Sequence, residues 1–312
     1  MNIVYMGTPE FSVGPLRELI KKYNISLVVT QPDKKVGRKQ EIKFSPVKEF
    51  AIEHGIEVFQ PEKIREDYKP ILDKNPDLII TCAYGQIIPK EILDFPKYKC
   101  INIHASLLPK YRGGAPIHHS IINGDEYTGV TIMYMDTKMD SGDILYQEKI
   151  KIEDTDNVGT MFSKLSELGS EMIIESLPKI IDGSIKPVKQ NEEEVTYAYN
   201  ISKEDEILDF NNTSRDIFNK IRGLNPFPVS YSILDGKRVK IYSSRIGTSN
   251  KNGEMGSIIN IYDDGIGVKT KDGEIIITEL QFEGKKRSST KEYLNGIQDK
   301  NSLLGKVFTR IV

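Results

Sequence analysis

The chain has 312 residues with 45 acidic and 43 basic side chains; it is long for one hydrophobic core, and two domains are expected. No run approaches 18 uninterrupted apolar residues, and the start, Met1-Asn2-Ile3-Val4-Tyr5-Met6, is strand-like, which argues against a membrane span and a signal peptide and leads to the expectation of a cytoplasmic protein. The near balance of charge hides a polarity: residues 1–209 carry 26 Lys/Arg against 34 Asp/Glu, net −8, and residues 210–312 carry 17 against 11, net +6, so a polyanionic partner is expected for the second part.

From the N-terminus, short apolar runs at Asn2–Met6, Ser26–Thr30, Glu57–Phe59, Leu78–Ala83 and Cys100–Ile103 read as buried parallel strands. Helices are expected between them. Ser45-Pro46 supplies an N-cap and a proline at the first helical position, with Gly55 as the stop, and a second helix is expected from Pro61 through Ile64, Tyr68 and Leu72. Strand and helix alternating in this way predict a doubly wound, mostly parallel, Rossmann-like α/β sheet. Met6-Gly7-Thr8-Pro9 follows the first strand with one glycine and then a proline, which fits neither a dinucleotide fingerprint nor a P-loop and disfavours nicotinamide enzymes and kinases. Gln31 to Lys48 holds Lys34, Lys35, Arg38, Lys39, Lys43 and Lys48 around Gly37; it reads either as a solvated loop or as a basic arm reaching for phosphates. Cys82 and Cys100 lack Cys-x-x-Cys spacing and sit in apolar runs, so both read as core.

The stretch from Ile101 to Asp143 carries the chemistry. Asn102 and His104 are two apart on one strand and emerge side by side where it runs into Ser106-Leu107-Leu108-Pro109. Ligands of doubly wound sheets bind at such strand ends. A further strand at Gly129–Met135 leads into a loop that brings Asp136 and Asp140. An imidazole beside an amide donor can stabilise an oxyanion, and a nearby carboxylate can orient the ring and keep it charged. Asn, His and Asp together suit transfer chemistry at a carbonyl. His118-His119 lacks metal-site spacing and reads as packing or surface.

Residues 156–182 form a long helical pattern closed by Asp182-Gly183, after which Gln190-Asn191-Glu192-Glu193-Glu194 has no periodicity and reads as a surface-wrapping linker. Beyond it come a helix over Thr213–Ile221 and short β runs at Val229–Leu234, Arg238–Ser243 and Glu274–Leu280, punctuated by Asp235-Gly236, Asp264-Gly265 and Asp272-Gly273. Asp-Gly between such runs signals hairpins. A small antiparallel, OB-like β-barrel is expected, a common nucleic-acid-binding module. The domains are therefore drawn as 1–189, a linker at 190–208, and 209–312.

Several stretches together resemble the methionyl-tRNA formyltransferase family over essentially the whole chain: Met6-Gly-Thr-Pro-Glu-Phe11, Gly37-Arg-Lys with Ser45-Pro-Val-Lys48, Ala83-Tyr-Gly-Gln-Ile-Ile-Pro89, the block from Ile101 to Pro116, Ile122-Asn-Gly-Asp125, Gly129–Met133, Met139-Asp-Ser-Gly-Asp-Ile-Leu145 and Asn225-Pro-Phe-Pro-Val229. The Asn-x-His block with Asp140 resembles folate-dependent formyltransferases in general; the basic loop and the Asn225-Pro-Phe-Pro stretch select the tRNA branch. The resemblance implies that Asn102, His104 and Asp140 are the catalytic trio. It implies 10-formyltetrahydrofolate as formyl donor, without a metal, held by Tyr84, Gly85, Gln86, Ile87, Ile88, Ser106, Leu107, Leu108, Pro109 and Asp136, with Ile87 and Ile88 packing on the pterin. It further implies initiator methionyl-tRNA as acceptor, met by Arg38, Lys39 and Lys43, and a monomeric enzyme. The alternatives are a formyltransferase acting on an amino-sugar nucleotide and a non-catalytic RNA-binding protein that kept the fold.

Overall fold

The computed structural model describes residues 1–36 and 40–310, in two compact units: residues 1–116, 127–151 and 162–199, and residues 117–126, 152–161 and 200–312.

In the first unit the strands are β1 (Asn2–Gly7), β2 (Asn24–Val29), β3 (Lys34–Val36), β4 (Glu41–Lys43), β5 (Val58–Phe59), β6 (Leu78–Cys82), β7 (Cys100–His104), β8 (Tyr127–Tyr134) and β9 (Ile144–Lys151). Seven of them form one sheet in the order β5-β2-β1-β6-β7-β8-β9, parallel from β5 to β7 and antiparallel thereafter. Ile3 to Gly7 on β1 and all of Leu78–Cys82 on β6 are buried, so both faces of these strands are covered, which is why those segments read as near-continuous apolar runs. Cys82 and Cys100 are free and buried, as their context indicated.

The helices α1 (Val13–Ile20), α2 (Pro46–Glu53), α3 (Lys69–Asp73) and α4 (Lys90–Leu93) fall between strands. The Ser45 hydroxyl accepts from the Lys48 amide, so α2 begins where its cap predicts. The expected helix from Pro61 is a correction: residues 61–68 are turn and irregular backbone, and only α3 is helical. Pro70 denies a continuous helix from Pro61 one amide donor, while at the start of α3 it sits where proline is tolerated. The upstream segment is held instead by Gln86, whose side-chain oxygen accepts from the Ile64 amide while its Nε2 donates to the Pro61 and Glu62 carbonyls. The basic arm, read as a loop, contains the short antiparallel pair β3–β4. β9 went unread because its alternation carries Gln147, Glu148, Lys149 and Lys151 on a half-exposed edge.

In the second unit β10 (Ser230–Leu234), β11 (Lys237–Ile246), β12 (Ile258–Ile261), β13 (Ile266–Lys269), β14 (Glu274–Phe282) and β15 (Ser288–Ser289) make an antiparallel sheet ordered β10-β11-β14-β13-β12, with β15 on β14. Asp235 and Gly236 both have positive φ, 51° and 72°, the conformation a two-residue hairpin turn demands. The chain from Gly305 to Thr309 pairs with both edges: Thr309 exchanges two backbone hydrogen bonds with Ile233, and the Ile258 amide donates to the Lys306 carbonyl. The edges are thus satisfied within the unit, and the sheet closes in the manner of a small barrel.

The helices that complete the chain are α5 (Pro116–Ile122), α6 (Val158–Ile181), α7 (Ser214–Gly223) and α8 (Thr290–Asn295). Thr213 and Asp216 form a reciprocal capping box on α7, worth about 1 kcal/mol.

His118, on α5, is buried edge-on to Phe227 with ring centroids 5.6 Å apart. Burial pushes its imidazole down to about 4, aided by His119 and opposed by the Phe227 backbone. Between pH 6.5 and 4 the unfolded chain takes up a proton that the folded chain refuses, so this contribution is complete above the unfolded value and is lost as pH falls. About 2 kcal/mol of stability should disappear between pH 7 and pH 5 from this group. Urea unfolding of the parent and of His118→Phe at both pH values measures it: the variant should lose about 2 kcal/mol less, and equal losses would dismiss the assignment.

Candidate active site

The strand register sets the site. Thr81 on β6 lies beside Asn102 on β7, and its hydroxyl donates to Asn102 Oδ1 at 2.8 Å. That bond uses the oxygen end of the amide and leaves Asn102 Nδ2 as the end that can donate to a ligand. His104, 6% exposed, has Nε2 3.0 Å from the Tyr111 carbonyl oxygen. A carbonyl only accepts, so Nε2 carries a proton and Nδ1 is the ring atom turned to Asp140, 3.7 Å from its Oδ2. This distance is too long for a direct hydrogen bond.

The loop after β7 is nailed down by side chains of the sheet. Ser106 Oγ donates to the Lys110 carbonyl, and Thr131 on β8 donates to the Ser106 carbonyl and accepts from the Leu108 amide. Gln147 on β9 donates to Thr131 Oγ1 and the Leu108 carbonyl. Ser106 and Leu108 are thereby buried and occupied, while Leu107 and Pro109 keep partial exposure. Tyr111 has a positive φ of 62°, which turns its carbonyl towards His104.

Asp140 arrives from the β8–β9 loop with φ 50°, and its Oδ2 accepts from the Gly113 amide at 2.8 Å. The structure therefore brings Asn102, His104 and Asp140 to one place. Gln190, from the segment read as a linker, donates Nε2 to both the Asp140 and Gly142 carbonyls at 2.8 Å. Its Oε1 accepts from Arg112 Nε and Nη2, at 3.0 and 2.9 Å. Arg112, 3% exposed, also grips Glu192 and holds that carboxyl below its ordinary range. The segment through Ala198 belongs to the first unit and packs against Arg112, whose carbonyl accepts from the Ala198 amide.

The residues expected around the folate divide. Tyr84 and Ile88 belong to the buried core, and the Tyr84 carbonyl accepts from Thr8 Oγ1 and Gln31 Nε2. Ala83 and Gly85 have positive φ, 48° and 90°, in this turn. Ile87 is 80% exposed, Gln86 is spent on the 61–64 segment, and Asp136 is exposed with its carboxylate on the Thr137 amide. Gly85, Ile87 and Asp136 are thus the exposed members of the set. Lys43 is exposed on β4, while Arg38 and Lys39 lie outside the described residues. Sequence reasoning missed Thr81, Arg112, Gln147 and Gln190. Thr81 carried a weak signal as a polar residue buried within a strand; Gln147, exposed on β9, and Gln190, 50 positions from Asp140 and 78 from Arg112, carried none.

With this polar trio at the carboxyl end of the parallel strands, residues 1–177 match the family model for formyl transferase and residues 200–298 match that for the formyl transferase C-terminal domain, which places the chain among the formyl transferases. The chain is 50% identical over 299 residues to the methionyl-tRNA formyltransferase of Bacillus subtilis, covering 95% of this chain and 94% of that one. It is 50% identical over 300 residues to the methionyl-tRNA formyltransferase of Bacillus thuringiensis, covering 95% and 96%. The chain belongs to the methionyl-tRNA formyltransferase family. Its fold is shared with an N-formyltransferase from Helicobacter canadensis solved with folinic acid and dTDP-3-aminofucose, at TM-score 0.68 and 21% identity over 92% of this chain and 99% of that one.

Proposed function

We propose that the chain transfers the formyl group of 10-formyltetrahydrofolate to the α-amino group of methionyl-tRNA, giving formylmethionyl-tRNA for translation initiation, with Asn102, His104 and Asp140 as its catalytic groups. The observation that carries this reading is the meeting of those three side chains in a chain half identical, along 95% of its length, to methionyl-tRNA formyltransferases. The amine, which titrates near pKa ~8 and so has a useful neutral fraction, attacks the formyl carbon. A C–N bond forms, and negative charge gathers on the formyl oxygen. Asn102 Nδ2, set by Thr81, donates to that oxygen. His104 is fixed by Tyr111 and presents Nδ1; in its protonated form it is the second donor. Asp140 takes the amine proton, directly or through a water, and returns it to N10 as the C–N10 bond breaks. Ala83–Pro89 and Asp136–Asp140 border the donor, with Gly85, Ile87 and Asp136 open to it.

The enzyme acts as a monomer in the cytoplasm. Residues 1–189 carry the catalytic groups, 190–208 connect the domains with Gln190 packed against Asp140 and Arg112, and 209–312 hold the acceptor tRNA, aided by Arg38, Lys39 and Lys43. Lys237 and Arg238 on β11 and Lys285 and Lys286 after β14 are exposed, and the Glu283 amide donates to the Arg238 carbonyl, which ties the two stretches together. We assign tRNA phosphate contacts to them. Reversing Lys237 and Lys285 to Glu should raise the Kd for methionyl-tRNA at least ~10-fold and flatten its salt dependence, since each lost phosphate contact removes about one counterion from the slope. Unchanged affinity and slope would refute the assignment.

The test of the activity is transfer of labelled formyl from 10-formyltetrahydrofolate by the purified chain, with methionyl-tRNA, uncharged tRNA and an amino-sugar nucleotide run in parallel. Label should appear on methionyl-tRNA only; transfer to the sugar nucleotide instead would replace this reading.

A further inference from the structure

We propose that Gln190 is a positioning residue for Asp140, acting in the proton-transfer step of the reaction assigned above and resting on that assignment. A glutamine amide offers two N–H donors and one oxygen with two lone pairs. All four are used: two donated bonds to the Asp140 and Gly142 carbonyls and two accepted bonds from Arg112. The side chain is therefore a fixed link between a buried guanidinium and the backbone on both sides of Ser141.

What it holds is a loop that needs holding. Asp140 sits at φ 50°, a conformation that costs a non-glycine residue about 1 kcal/mol or more and persists only when its surroundings enforce it. The Gly113 amide fixes the carboxylate and Gln190 fixes the carbonyl, so the residue is gripped at both ends. The two grips are joined, because Gly113 follows Arg112, whose backbone is bonded to Thr196 and Ala198 of the same segment that carries Gln190. A Cβ on Gly113 would strike the Ala198 carbonyl. The segment thus sets the 3.7 Å spacing between Asp140 and His104 Nδ1 without touching either reacting group itself.

Gln190→Glu separates this role from a structural one. It keeps an oxygen for Arg112, so the buried guanidinium stays paired, but sets a carboxylate against two carbonyls that need donors. We expect kcat to fall ~10–100-fold, as for a displacement of about 1 Å of a catalytic group. KM for both substrates should stay within about twofold, with the pH profile of kcat altered and the loss of kcat larger than the accompanying fall in Tm accounts for. Gln190→Met, of similar length but without polar atoms, should show the same loss of kcat. As a readout independent of turnover, the ring C–H resonances of His104, identified among four histidines by their loss in His104→Ala, should move in Gln190→Glu. Parent-like kcat, pH profile and His104 resonances in Gln190→Glu would overturn the positioning role, as would a loss of kcat that merely tracks Tm. Absence of transfer by the parent would overturn the assigned activity instead, and the resonance comparison would still decide the role of Gln190.

Discussion

Asp140→Asn is expected to lower kcat at least ~100-fold while leaving the protein folded. The substitution preserves the size of the side chain and an oxygen to accept from the Gly113 amide, so the loop keeps its anchor. It removes the base and the charge that faces His104 Nδ1 across 3.7 Å. His104→Ala and Asn102→Ala should cost as much, since loss of one oxyanion donor is worth about 3–4 kcal/mol at the transition state. Because Thr81 orients the Asn102 amide, Thr81→Val should reproduce part of the Asn102→Ala loss with little change in KM. Single-turnover formylation with saturating donor, alongside thermal unfolding, separates chemistry from stability. Near-parental turnover in Asp140→Asn would remove Asp140 from the mechanism.

Gly142→Ala is expected to injure stability and catalysis together. A Cβ there would fall on the Tyr134 carbonyl oxygen, which is backbone at the end of β8 and has little freedom to yield. The loop must shift, at about 1–3 kcal/mol for the steric conflict. Its carbonyl is one of the two that Gln190 holds, so Asp140 shifts with it. A fall in Tm together with a loss of kcat of ~100-fold is expected, with KM for the folate less affected. If crystallography of the variant shows Asp140 unmoved and turnover is retained, the close approach of Gly142 to β8 is packing alone.

Much of the fold was legible because burial leaves a periodic imprint. Runs such as Leu78–Cys82 are buried throughout and read as strands without their partners. Ser45-Pro46 and Asp235-Gly236 carry their conformation in their own covalent chemistry. The helix drawn from Pro61 failed because apolar spacing was weighed above Pro70, and because the segment's hydrogen bonds come from Gln86, more than twenty residues away. In the site, Asn102 and His104 were legible as neighbours since two positions along a strand share a face. Ile88 shows the opposite case: adjacent to the exposed Ile87, it lies in the core, and nothing in the pair of letters told them apart.

By itself the sequence determined the two kinds of sheet, the strand end that bears the polar trio and, through its motifs, the family. Those are local matters, decided by side-chain period, cap chemistry and residue type over a few positions. Only the tertiary structure decided which ring nitrogen of His104 is committed to Tyr111, which end of the Asn102 amide is free, and that the acidic linker returns to hold Asp140 through Gln190. Each of these is a hydrogen bond between groups far apart in the chain or set by a single φ value. Such bonds depend on angstrom-scale distances that no periodicity encodes.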